Sequence, residues 1–88
     1  MKFEYDQKKS QSNQLKHMIN FSEAQRIWDD PRRIEFRLKH VCGEQRHQTI
    51  ARIDDLIWTA IMTYRNDAIR IISVRRARKQ EIALYENS

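Results

Sequence analysis

The segment Asp67-Ala-Ile-Arg-Ile-Ile-Ser-Val-Arg-Arg-Ala-Arg-Lys79 constrains this chain more than any other. Its first half carries the β-branched residues Ile69, Ile71, Ile72 and Val74 and reads as a strand. Its end passes into good helix formers from Ala77 to Leu84. Over residues 65–79, six cations (Arg65, Arg70, Arg75, Arg76, Arg78 and Lys79) stand against one anion, Asp67, a local charge of +5. The net charge of the whole chain is also +5. A solvated basic helix start beside an ordinary strand would account for part of this. The cations begin inside the strand, however, beside isoleucines that must be buried, where charge is costly. The segment reads as an element that handles anions.

The 88 residues suit one domain, 1–88, with a modest core. With 40% hydrophobic and 33% charged residues, the composition fits a folded chain rather than a disordered one. No apolar run approaches the length of a membrane span, so no membrane role is expected. Met1-Lys-Phe-Glu-Tyr-Asp6 has no apolar core of a secretory signal, so a reducing cytoplasm is the expected location. Cys42 is the sole cysteine, which excludes an intrachain disulfide. With His40 and His47 it could form a zinc site only with ligands from another chain. A sequence pI near 9.7 favours an acidic partner, either nucleic acid or an acidic protein.

Hydrophobic period and turn residues divide the chain into a short β, two α, four β and one α. Residues 2–6 alternate, with Phe3 and Tyr5 on one face. Asp6 then caps a polar helix over 7–17, whose only large aliphatic residue is Leu15, so this helix belongs at the periphery. Lys9, Asn13, Lys16 and His17 fall together on it at helical spacing. A second helix starts at Asn20-Phe21-Ser22 with Ser22 as cap. It buries Phe21, Ala24, Ile27 and Trp28 and stops at Asp29-Asp30-Pro31. Strands follow over 34–38, 46–53, 56–64 and 68–75, with a polar loop at 39–45 and turns at 54–55 and 65–67. Residues 76–86 form the last helix. Short connections predict an antiparallel sheet, and the class is α+β, with two N-terminal helices and one C-terminal helix.

Several chemistries are disfavoured. Ser73 lies mid-strand with no nucleophile-elbow context and reads as a small packing residue. One glycine cannot build a phosphate-cradling loop. The pairs Asp29/Asp30 and Asp54/Asp55 sit where turns and caps need them. No metal or cofactor is expected. His17, beside Lys16, has two readings left open by spacing alone: a cation completing a helix C-terminus, or a general acid or base. If 54–55 and 66–67 are two-residue loops, Arg52, Thr59, Thr63 and Arg70 share one sheet face, and Tyr64, Ser73 and Arg75 the other. A one-residue slip reverses such pairings.

The run Lys9-x3-Asn13-x2-Lys16-His17-x3-Phe21-x2-Ala24 resembles the start of the BrnT family of bacterial toxins. The resemblance continues in Trp28-x-Asp30, Arg52-Ile53 and Trp58-Thr59. It ends in Arg65-x-Asp67-x-Ile69-Arg70-Ile71-Ile72-Ser73-x-Arg75-Arg76-Ala77-x3-Glu81-x3-Tyr85-Glu86, which carries it most strongly. Met18, Ala51 and Asn66 stand where the family commonly has glycine. At Met18 this bears on His17, because a glycine there would suit a left-handed helix end.

The resemblance implies a RelE-like fold and a type II toxin that cleaves RNA and blocks translation. It also implies a ribbon-helix-helix antitoxin similar to BrnA, an assembly of two toxins with two antitoxins, and DNA contact through the antitoxin alone. On that reading His17 and Lys16 would act with Arg65, Arg75 and Arg76 in catalysis. Lys9, Arg52, Arg70 and Arg78 would guide the RNA, and Trp58 or Tyr64 could stack on a base, although Trp58 suits a core. A binding module of the same fold without catalysis, or a structural subunit whose basic face docks an acidic protein, would keep the same basic surface.

Overall fold

Three two-residue turns fold the second half of the chain into a meander. The computed structural model describes residues 1–88. Strand β2 (Ile34–Val41) turns at Cys42-Gly43 into β3 (Glu44–Ile53). Asp54-Asp55 leads to β4 (Leu56–Arg65), and Asn66-Asp67 to β5 (Ala68–Arg76). Cys42, Gly43, Asp54 and Asn66 take positive φ in these turns, as tight hairpins demand. The polar loop expected at 39–45 is therefore strand on both sides of a two-residue turn. Its polar sequence reflects an edge strand open to solvent.

The sheet order is β1-β5-β4-β3-β2, with β1 spanning Lys2–Glu4. Neighbours are antiparallel except β1, which runs parallel to β5 in the register Phe3↔Ile69. The sheet is mixed, and the antiparallel expectation fails at this one strand. Phe3 must meet Trp28 (centroids 5.2 Å apart) and Tyr5 must meet Phe21 (5.6 Å). Running parallel along the free edge of β5, the strand brings both rings to the core.

Helix α1 spans Gln7–His17 and α2 spans Phe21–Ala24, continued by a 3₁₀ turn, Gln25–Asp29. Asn20, not Ser22, caps α2: its Oδ1 accepts the Glu23 N–H at 2.8 Å while Glu23 accepts the Asn20 N–H. Helix α3, Lys79–Glu86, starts three residues later than expected. Arg76 is still in register with Trp58, and the Ala77 N–H donates to the Ile57 carbonyl at 2.9 Å.

The main core lies on one sheet face. Phe21, Ala24, Ile27 and Trp28 pack there on Ala51, Trp58, Ala60, Met62, Ile71 and Val74. Phe21 and Ile27 are fully buried, each stabilising the fold by roughly 1.5–3 kcal/mol. On the opposite face α3 brings Tyr85 and Ile82 onto Ile50 and Ile57. The class is α+β. No helix is long and apolar enough to cross a membrane.

Candidate active site

Polar contacts dock α1. Leu15 is exposed, and the buried residues of α1 are Ser10 and Asn13. Asp6 starts the helix by accepting the Lys8 N–H at 2.8 Å. The Ser10 hydroxyl oxygen accepts the Phe21 N–H at 2.9 Å. Asn13 acts as a short substitute for a strand. Its Nδ2 donates to the Val74 and Ile19 carbonyls, both at 2.8 Å, and its Oδ1 accepts the Val74 N–H at 3.1 Å. These bonds close the edge of β5 beyond the reach of β1. Met18 ends the helix in the left-handed region, φ 65°, with its N–H on the Gln14 carbonyl at 3.0 Å. The missing glycine is thus accommodated by strain at Met18 rather than by a different helix end.

Between α1 and β5 lies a cleft of about 200 Å³ lined by Lys9, Ser12, Asn13, Lys16, His17, Ile72 and Ser73. Three basic side chains and two hydroxyls face it, and no carboxylate lines it. Lys9 and Lys16 are exposed and His17 is half-buried. Such a lining suits an anion, with an imidazole beside it.

A bulge at Ile72 shapes the floor. The register passes from Met62↔Ile71 to Ile61↔Ser73, so Ile72 is the extra residue. Downstream side chains change face. Arg70 pairs across from Thr63, and Arg75 from Thr59. Both arginines therefore lie on the α3 face, with Ser73 between them. The expected grouping of Arg52, Thr59, Thr63 and Arg70 holds. Ser73 and Arg75 join that group, and Tyr64 stands alone on the other face. Ser73 connects the His17 cleft to this basic face.

The arginines expected to form one clamp are dispersed. Arg75 is tied to Glu81 by two bonds of 2.8 and 2.9 Å. Glu81 also accepts from Gln48 Nε2 at 2.6 Å and from the Arg78 N–H at 2.8 Å. The Arg75 hydrogen bond leads in holding the Glu81 carboxyl at about 2, against the opposing pull of burial. Arg76 turns to the other face, 5.7 Å from the Trp58 ring centroid. Arg65 sits at the far end of β4, bound to Glu44 at 2.8 Å. Arg70 approaches Glu4 at 3.8 Å. Arg52, on β3, lies 5.9 Å from the Tyr85 ring centroid. Arg78 opens α3. His17, Lys16 and Lys9 share the cleft, and none of these arginines lines it.

Asp30 does more than end a turn. It accepts the Arg52 and Arg32 N–H groups, both at 2.9 Å, and the Tyr85 hydroxyl at 2.6 Å. Burial pushes its carboxyl up, but these bonds outweigh burial and hold it below the usual range. Of the aromatics, Trp58 is buried and Tyr64 half-exposed. Burial, then the bond to Glu35, pushes the Tyr64 hydroxyl up to about 12. No three His, Cys, Asp or Glu side chains are placed to hold a metal ion. Sequence reasoning gave no role to Asn13, Ser12, Gln48 or Glu81. Asn13 was signalled by its spacing with Lys9, Lys16 and His17 and by the resemblance motif, and Glu81 by that motif alone.

Residues 5–81 match the family described as ribonuclease toxin, BrnT, of type II toxin–antitoxin system. The chain belongs to the BrnT family. The match runs from Tyr5, before α1, to Glu81, the partner of Arg75, and so takes in both the cleft and the basic face. BrnT chains are ribonuclease toxins, and a type II system implies an antitoxin partner. No curated protein matches the chain.

Proposed function

We propose that this BrnT chain is a metal-independent endoribonuclease with a RelE-like fold, blocking translation when free of its antitoxin, and that the His17 cleft is its active site. A ribose 2′-oxygen attacks the adjacent phosphorus. Its proton passes to a base as the 2′-O–P bond forms. The P–O5′ bond breaks and the leaving oxygen takes a proton from an acid, giving a 2′,3′-cyclic phosphate and a 5′-hydroxyl. His17 serves as that base or acid. Lys9 and Lys16 hold the phosphate, and Arg75, two residues from Ser73, stands behind them on the sheet face with its charge offset by Glu81. Arg76, Arg52 and Arg78 stand outside the cleft and steer RNA over longer range.

The observation that carries this reading is the cleft itself: an imidazole and two ammonium groups without a competing carboxylate. The antitoxin is a ribbon-helix-helix protein similar to BrnA, in a complex of two toxins and two antitoxins, with DNA contacted only by the antitoxin. It inhibits by covering the basic face. The test is cleavage of RNA in a chelator. His17→Ala is expected to lower cleavage by about 10²-fold while RNA binding persists. Full activity in that variant removes His17 from the mechanism, and loss of activity in the chelator removes the metal-free scheme.

A further inference from the structure

The far end of the same sheet face holds a second cationic group. The register places Arg46 on β3, Thr63 on β4 and Arg70 on β5 in one row. Two strand spacings separate Arg46 from Arg70 by about 10 Å at Cα. Arg65 completes the group from the end of β4. Its Nε and Nη2 donate to the two Glu44 carboxylate oxygens at 2.8 and 3.2 Å. The hydrogen bond from Arg65, working against burial, holds the Glu44 carboxyl below its usual range, and the charges of Arg65, Arg46 and Arg70 add to it. One guanidinium thus grips the Glu44 carboxylate, and those of Arg46 and Arg70 stand near enough on the same face for their charges to reach it. Glu4 reaches Arg65 and Arg70 only at 4.0 and 3.8 Å. The half-buried Arg46 side chain has no hydrogen-bond or ion partner.

A carboxylate held in an arginine fork presents the same oxygen geometry as a phosphate. We propose that Arg46, Arg65 and Arg70 form an RNA phosphate subsite, with Glu44 occupying it until RNA displaces the carboxylate. The subsite deepens, and rests on, the ribonuclease reading above. Arg70 is separated from Ser73, at the His17 cleft, by about 10 Å of strand. One RNA strand can therefore place one phosphate at the cleft and another, a nucleotide or two away, on the arginines. Thr63 and Ile61 form the floor between. An acidic segment of a protein partner would meet the same charges, but a row of arginines about one to two nucleotides from the His17 cleft fits a phosphate chain more closely.

The experiment measures binding of the full chain to a short 2′-O-methyl RNA, which lacks the attacking hydroxyl, across a salt series. Glu44→Gln is expected to bind about 3–10-fold tighter than the parent. Arg46→Gln is expected to bind about 3–10-fold weaker, with the salt slope reduced by about 0.7. Lys39→Gln, which removes a charge on β2 outside the row, should leave the slope unchanged. Because Arg46 has no partner within the chain, its variant remains informative even if Glu44→Gln folds poorly. Parental affinity and slope in Arg46→Gln, or an equal effect from Lys39→Gln, would overturn the subsite while leaving the His17 reading standing. Failure of the parent to bind the RNA would overturn both. Loss of antitoxin affinity with unchanged RNA binding would assign the arginines to the protein partner and overturn the proposal.

Discussion

Removing the Asn13 side chain should unlock α1 from the sheet. Asn13→Ala deletes two donated bonds of 2.8 Å and one accepted bond of 3.1 Å. It leaves the Val74 N–H and the Val74 and Ile19 carbonyls without partners, in a residue position only 6% exposed. A buried backbone group left bare costs about 1–3 kcal/mol. Water entering from the sheet edge will satisfy some of that demand, so the expected loss is about 3 kcal/mol rather than the full sum. In a chain of this size each kcal/mol lowers Tm by about 4–8 °C, so a fall of more than 10 °C is expected. Urea unfolding should show a lower midpoint at unchanged m. Asn13→Asp separates the donors from the acceptor. It keeps the partner of the Val74 N–H but sets a carboxylate against two carbonyl oxygens, and should be at least as destabilised at neutral pH. Under native conditions both variants should lose cleavage beyond their loss of folded protein, because His17 and Lys16 ride on the displaced helix. An Asn13→Ala variant within about 0.5 kcal/mol of the parent would refute the clamp as what docks α1.

The Arg75–Glu81 pair makes stability depend on acid. Glu81 is held at about 2, below the ordinary carboxylate value of 4.5, so its contribution is full above about 4.5 and lost as pH falls from there towards 2. The contribution is roughly 3 kcal/mol at most, and Asp30, also held low, acts in the same direction. Urea midpoints from pH 7 to pH 3 should fall less steeply in Glu81→Gln than in the parent; identical profiles would show that the pair carries no such linkage. Met18→Gly should relieve the left-handed strain at φ 65° and stabilise the chain by about 1 kcal/mol, read as a rise in Tm, without lowering cleavage. A fall in Tm would mean that Met18 makes contacts its exposure does not reveal.

Much of the sheet could be read from the chain. The segment 46–53, the apolar strand 56–64 and the β-branched residues of 68–75 were read as the three strands that prove central, and the turns at 54–55 and 66–67 fell where Asp and Asn permit positive φ. The reading failed where a single residue changes parity. Nothing in Ile71-Ile72 marks one isoleucine as extra, yet that bulge moves Ser73 and Arg75 to the face of Arg70. Strand β1 gave its alternation but not its direction, because direction follows from distant rings on Trp28 and Phe21. The clustering of His17, Lys16 and Lys9 was legible from helical spacing. The dispersal of the arginines was not, since their carboxylate partners Glu81 and Glu44 come from other elements.

The clamp between Asn13 and Val74 joins residues 61 apart in sequence. Strand β1 depends on the same late region, because its partners are residues 68–70. The cleft is therefore made from opposite ends of the chain, and its closure is a long-range event that must bear the entropy of a large loop. During synthesis, α1 leaves the ribosome long before β5 exists to receive it. A nascent or truncated chain that ends before Ile72 carries His17 and both lysines but has no floor to set them against. Toxicity should switch on only after β5 has docked, the same event that completes the basic face.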